Sequence, residues 1–435
     1  MNGGIIPRNY YFLGAITIDQ NATASRQPVT KVLAGYSNAE YQAFFDNYDY
    51  QTMLSGGDLA LFANTRMALM MHTAIVSPSK VYAPLPSEPI PAIGEIEAQT
   101  VLGKLSLDDY LINPQSYIQA IAISHKGKVV FERYPGMKPT DSHLWASTAK
   151  PVTALLIEHL IDAGKLDQNM TYGEYVPDFC GTAWEHIKII DLMNMASGLN
   201  VGENDVTRHD PHSVMARLYH SEFGSPDPIT NKVETTRTIM KTAAKICEPG
   251  TQFDYSSVIT QSLVILIEEV TGKRFSDVAD EQIFSHMSLE NDIQINLSCA
   301  DSLELGHGFL SSRLRDLMHF GMLYTPSWKK ISDKQVVSDA ALHRIQKELP
   351  SHEAFMSGYD GPRFMANLGD YVISNNRQWD AVFPDGDMMK LGYMSQGLYV
   401  SPGKDLVIAY FSTNTDIGPN QAYMRPIVES GLFDK

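Results

Sequence analysis

Ser147 and Lys150 stand one helical turn apart in "LWASTAKPVTALLIEHLIDAG", residues 144–164, ahead of a long apolar-faced segment. A serine hydroxyl becomes a nucleophile beside a base, and a lysine amine driven neutral by burial can be that base. The rival reading is a helix cap, because serine is among the favoured N-cap residues. Ser-x-x-Lys by itself decides nothing. It recurs at Ser77/Lys80, Ser327/Lys330 and Ser401/Lys404, where ordinary usage gives about one match by chance. Context separates the four. The first contains Pro78 and runs into a proline-rich stretch, the third lies in a polar turn-like stretch, and the fourth contains Pro402 and Gly403. Only Ser147/Lys150 opens a long helix, which would set both side chains on one face about 5–6 Å apart. A helix start also supplies N–H groups and a positive dipole end where an oxyanion develops.

A partner for this pair is sought in "FDYSS", where Tyr255 and Ser257 precede a helix over 258–271. A charged lysine would favour the phenolate there, and a neutral one would act as the base. The same Tyr-x-Ser form occurs in "GYSN" at Tyr36–Asn38, but it lies before the domain boundary proposed below. On the residues alone, nucleophile and capping serine stay equally open.

The elements that must position these groups follow from periodicity and turn chemistry. "YIQAIAISHKGKVVFERY" predicts two strands around a His-Lys-Gly turn, and "QGLYVSPGKDLVIAYFST" two more around Ser-Pro-Gly-Lys-Asp. Pro151 suits the first turn of the helix after Ser147, and Gly164 its end. Gly198 reads as the stop of a helix through "IIDLMNMASGLN", and Gly272 as the stop of the helix after Tyr255. Residues 201–236 form a polar stretch long enough to suggest a lid or binding loop. "YAPLPSEPIPAIG" ends a segment of unassigned role, residues 1–98, and marks a boundary before a domain over 99–435. Strands at both ends with helices between them predict an α+β architecture: an antiparallel sheet flanked by helices, with an inserted helical region.

Composition bounds the function. The chain has 435 residues, 44% hydrophobic and 19% charged, as soluble globular proteins do. Fifty acidic against 34 basic residues leave a net charge of −16, which argues against nucleic-acid binding. Three dispersed cysteines, Cys180, Cys247 and Cys299, make neither a disulfide framework nor a zinc spacing. The apolar run over 59–76 is broken by Asn64, Thr65 and Arg66, short of a membrane span. No secretory signal is legible at the start, so a cytoplasmic protein is expected, or a periplasmic or secreted one if an export signal preceded it.

Five segments, in order, resemble the serine β-lactamase-related family, which includes class C β-lactamases, D,D-peptidases, carboxylesterases and 6-aminohexanoate-dimer hydrolases. They are "SHLWASTAKPVTALLIEHLIDAGKLDQNM", "IKIIDLMNMASGLN", "EPGTQFDYSSVITQSLVILIEEVTGKRF", "GHGFLSSRLRDLMHFGML" and "GYMSQGLYVSPGKDLVIAYFST". The resemblance implies a β-lactamase-like fold. It implies Ser147 as the acylated nucleophile, with Lys150 and Tyr255 as its activating pair. The Ser147 N–H would be one oxyanion donor. Anchoring on Gln396 and Pro402 makes the Leu391 N–H the second, and reading Lys390-Leu391-Gly392 as a degenerate Lys-Thr-Gly makes it Tyr393; Leu391 is preferred.

Three departures from the family bear on substrate. Lys-Thr-Gly is absent, and residue 257 is serine where β-lactamases carry asparagine, which weakens a β-lactam reading. "NVGENDVTRHDPHS" has no tyrosine where some nylon-oligomer hydrolases place one, and Asp205 falls near that position. The expectation is a serine hydrolase of small esters or amides, without metal or organic cofactor. An acyltransferase with the same acyl-enzyme, or an acylated sensor or D,D-peptidase-like protein, are the alternatives. His307 is expected to be packed or hydrogen-bonded, His209 and His212 to be solvated, Asp191 and Asp316 to be structural, and the methionines of "RMALMMH" to fill core. Oligomeric state is not legible.

Overall fold

The computed structural model describes residues 27–100, 102–368, 373–414 and 421–434. Its strands are β1 (Thr73–Val76), β2 (Glu97–Thr100), β3 (Gly103–Ser106), β4 (Ile118–His125), β5 (Lys128–Arg133), β6 (His143–Leu144) and β7 (Ile293–Asn296). They continue with β8 (Leu310–Ser312), β9 (Ser374–Asn376), β10 (Trp379–Val382), β11 (Met388–Gly392), β12 (Gln396–Ser401) and β13 (Leu406–Ser412). Seven form one antiparallel sheet in the order β5-β4-β13-β12-β11-β10-β9. The two hairpins expected from the sequence, β4–β5 and β12–β13, fill the four positions from one edge of the sheet inward, joined where β13 pairs with β4 from Leu406↔His125 onward. Strands β12 and β13 are buried along their whole length, the pattern of a sheet covered on both faces. The fold is α+β, as expected.

Helix Leu314–Met322 covers this sheet from β4 to β12. It comes so close that a Cβ on Gly321 would stand 2.6 Å from Val407 Cγ1 and 2.8 Å from Leu398 Cδ1. Helices Lys150–Asp162 and Ser257–Thr271 pack on one another. Both are apolar almost all round, the mark of a core helix; Ser257 through Ile267 are all buried. Gly272 ends the second in the left-handed conformation, at φ 66°.

Two expectations are corrected. Helix Ile189–Met193 ends at Asn194, before Gly198. Gly198 belongs instead to a tight approach, where a Cβ would meet the Cys247 carbonyl at 2.5 Å. The stretch 201–236 is not an open loop, since it contains helices Asp205–His209 and Val214–Glu222. The second is capped by Ser213 and nearly all buried. The segment before the proline-rich connector packs against the structure beyond it. β1 pairs with β7 in a sheet of order β1-β7-β8-β6, and Met67 and Met71 are buried with Leu144, Ala146 and Phe309. Residues 1–26 of that segment lie outside the described residues. The three cysteines are free thiols, and among the described residues no helix is long and apolar enough to cross a membrane.

The close approach at Gly321 gives a test of this packing. Gly321→Ala improves intrinsic helix propensity, by about 1 kcal/mol, yet overpacks the helix–sheet contact. A net loss of about 1–3 kcal/mol is expected, read as a lower urea midpoint.

Candidate active site

Ser147 does not cap a helix. It lies in a 3₁₀ turn, Ala146–Ala149, and the α-helix begins at Lys150. The turn is held in place from behind. The Trp145 N–H donates to Leu310 O (2.8 Å), its indole Nε1 to Ser312 Oγ (2.9 Å), and the Leu144 N–H to Asn64 O (2.7 Å). Ala146 has φ 48°, a left-handed conformation that costs a non-glycine residue about 1–3 kcal/mol and clusters at functional sites. Of residues 143–150, Ser147 alone is not buried. Its N–H, in the first turn, has no intrahelical acceptor.

Lys150 is fully buried, and all its partners are neutral. Its Nζ donates to Ser147 Oγ (3.0 Å), Ser257 Oγ (3.0 Å) and His307 O (2.7 Å). Burial is the largest cause pulling its pKa from 10.5 down to about 7; the Lys390 and Arg208 charges act in the same direction, against Glu203 and Asp380. His307 serves through its carbonyl, while its ring bonds buried Glu222 (Nε2···Oε1 2.7 Å). Thr153 Oγ1 on Gly306 O (3.0 Å) and Gln261 Nε2 on Glu304 O (2.7 Å) hold the same segment.

Tyr255 is buried, and the Ser147 hydroxyl is near enough to its phenol to oppose the rise in its pKa. Lys390 Nζ donates to that phenol oxygen (3.1 Å). Burial, then the Asp380 and Glu203 carboxylates, push the phenol well above 10, so it stays protonated at neutral pH. The Tyr255 N–H donates to Asp360 Oδ2 (2.8 Å). Ser147, Lys150, Tyr255 and Ser257 are therefore brought together, from segments more than a hundred residues apart.

The structure adds residues that the sequence did not single out. Buried Glu203 takes Arg208 Nη2 (2.8 Å), the Tyr219 hydroxyl (3.2 Å) and the Ser257 N–H (2.9 Å). Burial opposes its ionisation, but Arg208 and Lys150 outweigh it and hold its pKa below the usual carboxylate range. Asp380 receives Lys390 Nζ (2.5 Å) on one oxygen and the Leu391 N–H (2.8 Å) on the other. Burial pushes both members of the Asp380–Lys390 pair toward their neutral forms, against their mutual attraction. Either way the pair sums to zero charge. A short buried acid–base pair across a hairpin was the available signal for Asp380; Glu203 and Arg208 gave none.

Other candidates separate from this cluster. The Leu391 N–H, expected to face the nucleophile, is engaged by Asp380 instead. The end of β11 still abuts the Ser147 turn, because a Cβ on Gly392 would meet Trp145 O at 2.7 Å and Ala146 Cβ at 3.1 Å. Tyr393, just beyond, donates its hydroxyl to Leu54 O and packs under the Arg208 guanidinium. His209 and His212 are exposed. Asp316 accepts the Glu290 N–H (2.6 Å) inside the helix layer, and Asp191 lies in the first turn of its helix. Among the described residues no group of three His, Cys, Asp or Glu side chains is placed to hold a metal ion.

The buried amine leaves a thermodynamic signature. Folded Lys150 releases its proton near pH 7, and the unfolded chain holds it until about 10.4. Between these values the unfolded state binds more protons, so stability rises with pH, by up to about 1.4 kcal/mol per unit. Urea titrations from pH 6.5 to 9.5 should show this rise in the native protein and its loss in Lys150→Met.

The Beta-lactamase family profile matches residues 119–431. A 6-aminohexanoate-dimer hydrolase of Paenarthrobacter ureafaciens is 24% identical over 308 residues, 68% of this chain and 73% of its own. A solved structure from Bacillus anthracis, described as a 6-aminohexanoate-dimer hydrolase, superposes with a TM-score of 0.71 at 21% identity. It covers 88% of this chain and 96% of that one. A family VIII carboxylesterase structure gives a TM-score of 0.53 at 14% identity, over 80% of this chain and 100% of its own. The fold that these structures share, and a family match over most of the sequence, make this chain a member of the Beta-lactamase family.

Proposed function

We propose that this serine hydrolase cleaves an ester or amide of a small molecule through an acyl-enzyme on Ser147. The observation that carries the reading is the Lys150 amine, buried among neutral partners and 3.0 Å from the only accessible hydroxyl of its turn. Neutral at working pH, it presents a lone pair to the Ser147 O–H. As Ser147 Oγ bonds to the substrate carbonyl carbon, its proton passes to Lys150. The negative charge that develops on the carbonyl oxygen is met by the Ser147 N–H and by a backbone donor just past Gly392, at Tyr393 in the Lys-Leu-Gly-Tyr register. Collapse expels the alcohol or amine, which takes a proton from the protonated Tyr255 phenol; Lys150 returns one to the phenol. Water then repeats the sequence in reverse and frees the acid.

Esters or amides as substrates are supported by the relatives, one named a 6-aminohexanoate-dimer hydrolase and another a carboxylesterase. The missing Lys-Thr-Gly hydroxyl residue and Ser257 speak against a β-lactam preference.

The test begins with a fluorophosphonate probe. Mass spectrometry should find one adduct, on the Ser147 peptide, and none in Ser147→Ala; an adduct on another serine overturns the assignment. Acylation should accelerate with rising pH through about 7, as Lys150 loses its proton, and then level off.

A mutant cycle tests whether Lys150 and Tyr255 act as one unit. Lys150→Ala and Tyr255→Phe should each lower the acylation rate by about 10²–10⁴-fold. The double variant should be little worse than the poorer single. Strictly additive losses would return Tyr255 to a structural role.

A further inference from the structure

All three N–H bonds of the Lys390 ammonium are spent inside the protein. They go to Asp380 Oδ1 (2.5 Å), the Tyr255 hydroxyl (3.1 Å) and the Leu391 carbonyl (3.2 Å), and an ammonium has three donors and no more. The other Asp380 oxygen takes the Leu391 N–H. The strand register enforces this: Ala381↔Met389 sets Asp380 directly opposite Lys390. The two side chains are 2% and 0% exposed. An ammonium and a main-chain amide converging on the two oxygens of one carboxylate form an anion cradle with charge-assisted bonds. Here the anion is the protein's own side chain.

We propose that Asp380 is a built-in plug in a carboxylate-binding position formed by Lys390 and the Leu391 N–H, and that it confines the enzyme to substrates without a carboxylate near the scissile bond. The proposal rests on Ser147 being the nucleophile. A carboxylate carried to Ser147 finds the Lys390 ammonium already matched by Asp380, and both neighbouring lysines have their donors engaged. Arg208 is pinned to Glu203. An uncharged acyl or leaving group needs no such partner. Asp380 touches no reacting atom in this scheme. It is a specificity-determining residue that also fixes the ammonium against the Tyr255 phenol.

The experiment compares matched substrates that differ by one carboxylate. The pairs are 4-nitrophenyl hexanoate with mono-4-nitrophenyl adipate, and methyl 4-acetoxybenzoate with 4-acetoxybenzoate. The native enzyme should prefer the uncharged member in kcat/KM by about 10²-fold, the scale of leaving a desolvated charge without a partner. Asp380→Ala and the near-isosteric Asp380→Asn free one Lys390 donor and the Leu391 N–H. Each should shrink that preference at least tenfold for one pair, through a lower KM for the anionic member. No preference in the native enzyme overturns the proposal, and that measurement needs no variant to fold. An unchanged preference in either folded variant overturns it as well. Fluorophosphonate labelling of Ser147, run beside each assay, keeps the two readings apart: its absence in the native enzyme fails the nucleophile assignment, not the plug.

Discussion

Lys150 sits in the interior with no carboxylate in contact with its amine. An ammonium there would be desolvated without a counter-ion, which is costly, so the free energy of the site falls when the proton leaves. Its three partners come from separate places: Ser147 from the turn before its own helix, Ser257 from the start of helix Ser257–Thr271, and the His307 carbonyl from the segment before β8. Holding those oxygens on one nitrogen requires both core helices to be packed and the 304–308 segment to be clamped, which Thr153, Gln261 and the Glu222–His307 pair accomplish. The apolar surroundings of the two helices and the chemistry of the amine are thus one constraint, since the same burial that stabilises the core neutralises the lysine.

Around this amine the full charges are arranged in pairs. Glu203 faces Arg208 and Asp380 faces Lys390, so neither carboxylate is left over as a counter-ion for Lys150. The pairs pull in opposite directions on its pKa, and burial decides. Tyr255 lies between them, its ring 5.1 Å from Lys150 Nζ and 4.7 Å from Lys390 Nζ. Its hydroxyl has a donor from Lys390 and a neighbour in Ser147, which suits a group that must keep its proton until a leaving group needs it. The strained φ of Ala146 belongs to the same design, because it turns Ser147 outward while its neighbours stay buried.

Much of this was legible in the residues. Ser147, Lys150 and Tyr255 sit in local patterns, a turn before an apolar helix in each case, and local patterns are what a sequence displays. The hairpins at Gly127 and Gly403 and the stop at Gly272 were legible for the same reason, as turn chemistry is set within four or five residues. Glu203 and Arg208 were hidden because a charged residue in a polar stretch looks solvated until a distant element covers it. Asp210 and His212 masked the helix that Ser213 caps, although the cap itself was in plain view. The Leu391 amide shows a different limit. The register of β11 with β12 follows from the hairpin, but which acceptor takes an amide on the far side depends on the side chain that β10 presents.

The pairing of β1 with β7, Thr73↔Asn296, and of β4 with β13, Leu406↔His125, closes very long loops. On a ribosome, the Met67–Met71 face emerges long before β7 exists to seat beside it, and β4 waits for nearly the whole remaining chain. Such non-local closure slows folding and leaves apolar edges open to other chains meanwhile. The β4–β13 joint is therefore among the last in the sheet to form, and the nucleophile turn, braced by both sheets, acquires its shape only after β13 has emerged. Chaperones and growth temperature during production therefore act on this late closure rather than on the finished fold.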